Sequence, residues 1–330
     1  MDTRPRMIRT GFIARVGLST FLIIFGLCSA DAQTPTQSTA QAGREVEAPA
    51  SKSITGKPLP DINSLMVQVE AQQKTSLKTI KQYIYRSANT EQDLDSHGSV
   101  KKTTTEEREN FWVNGVYISR LLARDGKPVS GDELKKQNER IDQRIAEAKQ
   151  RDEKKAAGEP PQKKQGSGEV TFARFLELGA FSNPRRVQLH GRDTIAIDYA
   201  GDPRAKTRNL LEGAIHDLAG TVWVDEQDHA LVRMEAHFFN DFKVADGLLA
   251  DVHKGASFQA EWTKVNDEVW LPASFGGRGS ARIALFFNHS GVVEGRDSDY
   301  RKYRASSTIL PGVAEVPDAP QAPQPTQPQP

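Results

Sequence analysis

The whole chain holds one cysteine, Cys28, and it falls inside an N-terminal stretch that reads as a secretory signal peptide, residues 1–32. Arg4, Arg6, Arg9 and Arg15 supply the positive start, Leu18 to Leu27 the apolar segment, and Ala30-Asp31-Ala32 a small-x-small cleavage pattern. Cleavage after Ala32 leaves a mature chain without thiols. That excludes a disulfide framework, a thiolate nucleophile and a cysteine metal site. Leu27, directly before Cys28, is too large for a lipoprotein acylation signal.

Long hydrophobic runs are also scarce. The segment up to Leu27 is shorter than the roughly 20 apolar residues a spanning helix needs, and no later stretch is long or apolar enough. The expected product is an exported protein with no transmembrane segment in the mature chain. A charge excess of one sign is missing too. The net charge is +1, and the first 32 residues carry four arginines against two aspartates, so the mature chain is near −1. Nucleic-acid binding rests on a basic surface, and this balance supplies none.

Catalytic signatures are absent. There is no G-x-S-x-G elbow and no H-E-x-x-H pair. Gly276-Gly277-Arg278-Gly279 lies between two expected strands and reads as a glycine turn, without the helix N-terminus of a phosphate cradle. Asp93 to Gly98 begins like a calcium loop, but its twelfth position is Thr104, not a bidentate acid. It reads as a polar hairpin turn. Asp225-Glu226-Gln227-Asp228-His229 reads as a solvated hairpin tip whose acids cap their own backbone. His237 and His253 would meet only in one particular strand register, and a lone strand histidine reads as solvent-facing. No catalytic residue, metal or cofactor is assigned, and the chain is expected to be no enzyme.

What the sequence does contain is one domain, residues 61–310, between a disordered Thr/Gln/Ala/Pro linker (33–60) and a disordered Pro/Gln-rich tail (311–330). Asp61 is positioned to cap a helix carrying Ile62, Leu65, Met66, Val69, Leu77 and Ile80 at helical spacing. A charged helical insertion, 132–157, shows only a narrow apolar stripe of Leu134, Ile141, Ile145 and Ala148, and is expected to lie on the surface or project from it. Most of the rest alternates apolar and polar residues with period two between short turns. That pattern predicts a long antiparallel meander with a few helices, an α+β fold.

Several C-terminal strands place their apolar residues on one face: Val222 and Val224; Val232, Met234, Ala236 and Phe238; Phe258, Ala260 and Trp262; Val269, Leu271, Ala273 and Phe275; Ala281, Ile283, Leu285 and Phe287. Such a sheet curls around something. Helices at Ile62 to Ile80, Phe172 to Leu178 and Asn209 to Leu218 are available to fill the concavity, fully or in part. If the filling is partial, Met234, Phe238, Phe258, Trp262, Leu271, Phe275, Ile283 and Leu285 line an apolar cavity, and Phe172, Phe175 and Leu176 form its lid.

The strand G-T-V-W-V-D (Gly220 to Asp225), the hairpin into A-L-V-R-M-E (Ala230 to Glu235) and W-x-x-V-N-D-E-V-W-L-P (Trp262 to Pro272) resemble the LolA/LolB-like family of periplasmic lipoprotein carriers. Relatives in that group include lipid-binding lipoproteins and a periplasmic regulator that caps an anti-sigma factor. The resemblance spans about Asp61 to Tyr303. It implies a curved antiparallel half-barrel of about eleven strands, closed by helices, whose cavity takes lipid or lipoprotein acyl chains without catalysis. The charged helix and the tail are additions to that pattern, and no single residue matches the family's lid-locking arginine. The expected function is a monomeric periplasmic carrier or binder of acyl chains. The alternative is an envelope interaction or sensor protein with the same fold, no bound lipid, and a protein partner. A hydrolase working through unassigned carboxylates is the remaining possibility.

Overall fold

The computed structural model describes residues 57–113, 115–156, 172–244, 249–283 and 287–303. The signal sequence, the tail and most of the linker lie outside the described residues. Thirteen strands form one sheet, and all its pairings are antiparallel. In chain order they are β1 (Tyr83–Leu94), β2 (Val100–Val113), β3 (Val116–Arg124), β4 (Lys127–Pro128), β5 (Gly179–Leu189), β6 (Arg192–Gly201), β7 (Leu218–Asp225), β8 (Leu231–Phe238), β9 (Phe242–Val244), β10 (Ala250–Val252), β11 (Ser257–Val265), β12 (Val269–Ile283) and β13 (Phe287–Lys302). The main path runs β4-β3-β2-β1-β13-β12-β11-β8-β7-β6-β5, with β9 and β10 as a branch on β12.

The sheet is open but curled. Four strand steps separate Arg192 on β6 from Trp270 on β12, about 19 Å if the sheet were flat at about 4.8 Å per step. The Arg192 guanidinium nevertheless lies 5.5 Å from the Trp270 ring centre. The face turned inward is covered by α1 (Ile62–Thr79), whose Leu65 and Val69 share one core with Ile195, Ile197, Val224, Met234, Trp262 and Trp270. Asp61 caps this helix as expected, accepting from the Ser64 N–H at 2.9 Å. The last residues assigned to the linker are tied down as well. Arg186 donates to the carbonyls of Lys57 at 2.6 Å and Pro58 at 3.0 Å.

Both sheet edges are protected, as unpaired strands must be. At one edge, β5 carries Pro184 and a bulge between Ser182 and Arg185, with Asn183 at φ 53°. At the other edge lies α2 (Gly131–Ala156), the charged helix. It is seated, not projecting. Ile141 packs with Phe111 and Ile118 on the outer face. Gln137 accepts from the Leu121 N–H at 2.9 Å and donates to the Leu121 carbonyl at 3.1 Å. Arg144 donates to the Tyr117 carbonyl at 3.1 Å. The helix thus satisfies backbone groups that β3 offers to no further strand along this stretch. Its narrow apolar stripe is all that such a docking requires.

One expected turn is strand instead. Gly276 to Gly279 lies inside the 15-residue β12. Glycine is needed there for close approach, not for turning: an added Cβ on Gly279 would lie 2.7 Å from Ala256 Cβ. Phe242–Val244 pairs with β10. The Gly220–Phe239 hairpin forms in the expected sense. Val222 pairs with Met234, while Trp223 pairs with Arg233 on the opposite face, the guanidinium 5.5 Å over the indole.

Gly220 tests this packing. An added Cβ would sit 2.0 Å from the Glu235 carbonyl oxygen and 2.7 Å from Ala236 Cα, both backbone atoms. Gly220→Ala is expected to destabilise the fold by about 3 kcal/mol, the upper end of ordinary overpacking, read as a lower urea midpoint at unchanged m-value.

Candidate functional site

Residues paired across an antiparallel sheet share a face, so the registers define the inner surface row by row. One row runs Ile197, Val222, Met234, Ala260, Phe275, Gly295, Asn89, Glu106, Arg124. It is apolar through β12 and polar from β1 onward. The inner face therefore has two halves of opposite chemistry.

The apolar half holds most of the expected lining. Met234 and Trp262 pack with α1, with Phe258 against the same cluster. Phe238 stacks on Phe242 at 5.5 Å, beside Val252 and Ala256. Leu271 joins Ile80 and Tyr83. Met234, Phe238, Trp262 and Leu271 are each at most 8% exposed. Phe258 and Phe275 are half-buried, and Phe275 lies over Gly295 and Asn89. The Ile283 side chain and all of Leu285 lie outside the described residues.

Two short helices cap the end of this face near β6 to β8, α3 (Phe172–Leu178) and α4 (Leu210–Ile215). Of the expected lid residues, Phe175 packs edge-on to Tyr199 at 5.9 Å and near Phe181 at 6.5 Å. Leu176 is exposed, and the Phe172 side chain lies outside the described residues. Arg174 joins the two helices, donating to Glu212 through Nε at 3.0 Å and Nη2 at 2.7 Å, and also pairing with Glu177. The Arg174 guanidinium holds the buried Glu212 carboxyl below the usual carboxylate range.

The polar half was not visible in the sequence. Glu106 receives Arg108 through Nη2 at 2.9 Å and Arg124 through Nε at 3.3 Å, and Glu106 and Arg108 are both buried. Beside them a hydrogen-bond relay crosses four strands. Tyr85 and Tyr117 hydroxyls lie 3.2 Å apart. Tyr117 donates to Asn110 at 2.9 Å, Asn110 to Ser87 at 2.6 Å, and Ser87 to Asp297 at 2.5 Å. Desolvation pushes Asp297 up to about 6 against the opposing Ser87 hydrogen bond. In β2 the run T-T-T-E-E-R-E-N is polar on both faces, so hydropathy gives no sign that Thr104, Glu106, Arg108 and Asn110 are the buried ones.

The two acidic turns behave differently. Asp95 caps its turn as expected, accepting from His97 N–H at 2.8 Å and Ser99 N–H at 2.9 Å. Asp225 also caps its own turn, through Asp228 N–H at 2.7 Å, but Asp225 and Asp228 are not left to solvent. Asp225 is buried and paired with Arg192, and Asp228 accepts from Trp270 Nε1, Lys264 and Arg192, each at 2.9 Å. The curl of the sheet brings those partners to it. His237 and His253 are not joined: His237 stands exposed opposite Ser257, and His253 faces Ser280 at 3.4 Å.

No known protein family and no curated protein sequence matches the chain. Among solved structures, the crystal structure of MucB in complex with MucA(peri) is similar over 74% of this chain and 100% of that one, with 10% identity and a TM-score of 0.21. At that score the likeness carries no argument. No helix among the described residues is long and apolar enough to cross a membrane.

Asp297 gives a pH-dependent test. Its folded-state pKa is raised above the unfolded value, so the charged form is disfavoured by folding. The stability it leaves intact below about pH 4 is lost as pH rises through about 6. Asp297→Asn escapes that loss. Relative to the parent protein, the variant is expected to be more stable at pH 7.5 than at pH 4.5 by about 2 kcal/mol, measured by urea unfolding at both values.

Proposed function

We propose that the chain is an exported, non-catalytic binding protein for an acyl-bearing amphiphile, a LolA-like half-barrel that holds the acyl chain against its apolar inner half and the polar head against its polar half. The supporting observation is the row from Ile197 to Arg124, which changes from apolar to polar midway across one sheet face. Stability alone does not call for such a face, because buried ion pairs such as Glu106–Arg108 stabilise little compared with apolar packing.

In this reading the structure is the closed form, with α1 in place of the acyl chain. Its two well-buried side chains, Leu65 and Val69, contribute about 1.5–3 kcal/mol each, and a ten-carbon chain about 8 kcal/mol at about 0.8 kcal/mol per CH₂. The two burial terms are of the same order, so exchange of helix for ligand turns on a small difference that ligand concentration can tip. The Arg174–Glu212 pair holds α3 and α4 closed until it occurs.

A second reading is favoured by the near-complete burial of Met234, Phe238, Trp262 and Leu271. There the same fold is packed solid and serves as an envelope sensor that engages a protein partner.

One experiment separates the two. The purified protein is delipidated, its extract is analysed by mass spectrometry, and a dansyl-labelled undecanoic acid is titrated in. Acyl binding predicts recovered lipid and saturable uptake, weakened about tenfold by Phe275→Ala with the fold intact. An extract without lipid and a flat titration would remove the carrier reading and leave the sensor.

A further inference from the structure

We infer that Glu91, Asp93 and His289 form a binding site for one divalent transition-metal ion on the inner face, where β1 and β13 meet. Strand alternation places Glu91 and Asp93 on the same face. The register sets Asp93 opposite Gly291, so His289, two residues earlier on β13, shares that face. One donor atom from each of the three residues lies within 4.8 Å of the other two.

Gly291 makes the approach possible. An added Cβ there would lie 3.3 Å from His289 Nε2, so a side chain at this position would crowd the ring. As it is, the ring turns its Nδ1 to within 3.8 Å of Asp93 Oδ1. That separation is too long for a hydrogen bond. It suits two donors sharing one ion at about 2.0–2.2 Å from each.

The second observation comes from the other ring nitrogen. Nε2 is buried and has no hydrogen-bond partner. An imidazole in this position has nothing on that side to fix its tautomer or orientation, and its remaining electrostatic contact is with the carboxylate. A cation between Nδ1 and the two carboxylates would orient the ring from that side and set the ring proton on Nε2. Asp93 and His289 are both partly exposed, so an ion reaches them from solvent.

One imidazole nitrogen with two carboxylate oxygens is a borderline donor set, suited to Zn²⁺ or Mn²⁺ and too nitrogen-poor to favour Cu²⁺. Three protein ligands leave at least one position open, as in exchangeable sites. Metal binding here is independent of acyl-chain uptake, and either can fail without the other.

The tag-free protein, stripped with EDTA, is titrated with ZnCl₂ by calorimetry. The expected result is one equivalent bound, with affinity reduced at least tenfold in Asp93→Asn and in His289→Gln while circular dichroism and the melting temperature without metal stay as in the parent. His237→Gln and His253→Gln should leave binding unchanged. X-ray absorption at the zinc edge of the one-equivalent complex needs no variant and should show a single imidazole among oxygen donors. No binding at millimolar zinc, binding untouched by Asp93→Asn and His289→Gln, or a shell with two or more imidazoles would each overturn the site.

Discussion

Strand register is the constraint on which the rest of this molecule depends. Side chains alternate with a period of two, and paired residues share a face. The ladders from β11 through β12, β13, β1 and β2, bulged in three of the four pairings but regular across the row from Ala260 to Glu106, therefore carry the order of inward residues across the sheet. A slip of one residue in β1 would turn Ser87, Asn89, Glu91 and Asp93 outward and bring Arg86, Ala88 and Thr90 in. The relay to Asp297, the Glu106 ion pairs and the metal-ligand grouping would be lost together. Register is held on the apolar side by packing against α1. On the polar side it is held by the hydrogen bonds themselves, since Asn110, Ser87 and Asp297 satisfy one another only in this alignment.

An open sheet of this size has two edges and one inner face to cover, and the additions to the sheet do that work. The charged helix α2 closes the β3 edge with Gln137 and Arg144, which accounts for a segment whose narrow apolar stripe otherwise fits a projecting helix. The β5 edge is closed by proline and a bulge. Helices α1, α3 and α4 cover the apolar half of the inner face, and Arg174 on α3 holds Glu212 on α4. The acidic tip of the β7–β8 hairpin joins this closure through Arg192, Lys264 and Trp270. An isolated reading of that loop assigns its acids to solvent; the curl of the sheet assigns them to a network.

Amphipathic alternation made much of the apolar half readable in advance. The shared face of Met234, Ala236 and Phe238 on one strand follows from period two, and the helix capped by Asp61 follows from its cap and its spacing of Leu65 and Val69. Glycine was the misleading signal. Gly276 to Gly279 has turn composition, but the segment is strand, and Gly279 lies where Ala256 leaves no room for a side chain. The polar half gave no sequence signal because β2 is hydrophilic on both faces, and burial of such residues is decided by what lies across the sheet.

The sequence by itself determined the alternation, the helix cap, the antiparallel meander and the absence of any thiol chemistry in the chain beyond Cys28, because each is a property of neighbours along the chain. The tertiary structure alone decided which polar residues are buried, that α2 seals an edge, and that His289 meets Glu91 and Asp93. The contact of Ser87 with Asp297 and the meeting of His289 with Asp93 depend on pairing between β1 and β13, strands from opposite ends of the domain, and no local pattern encodes the distance between them.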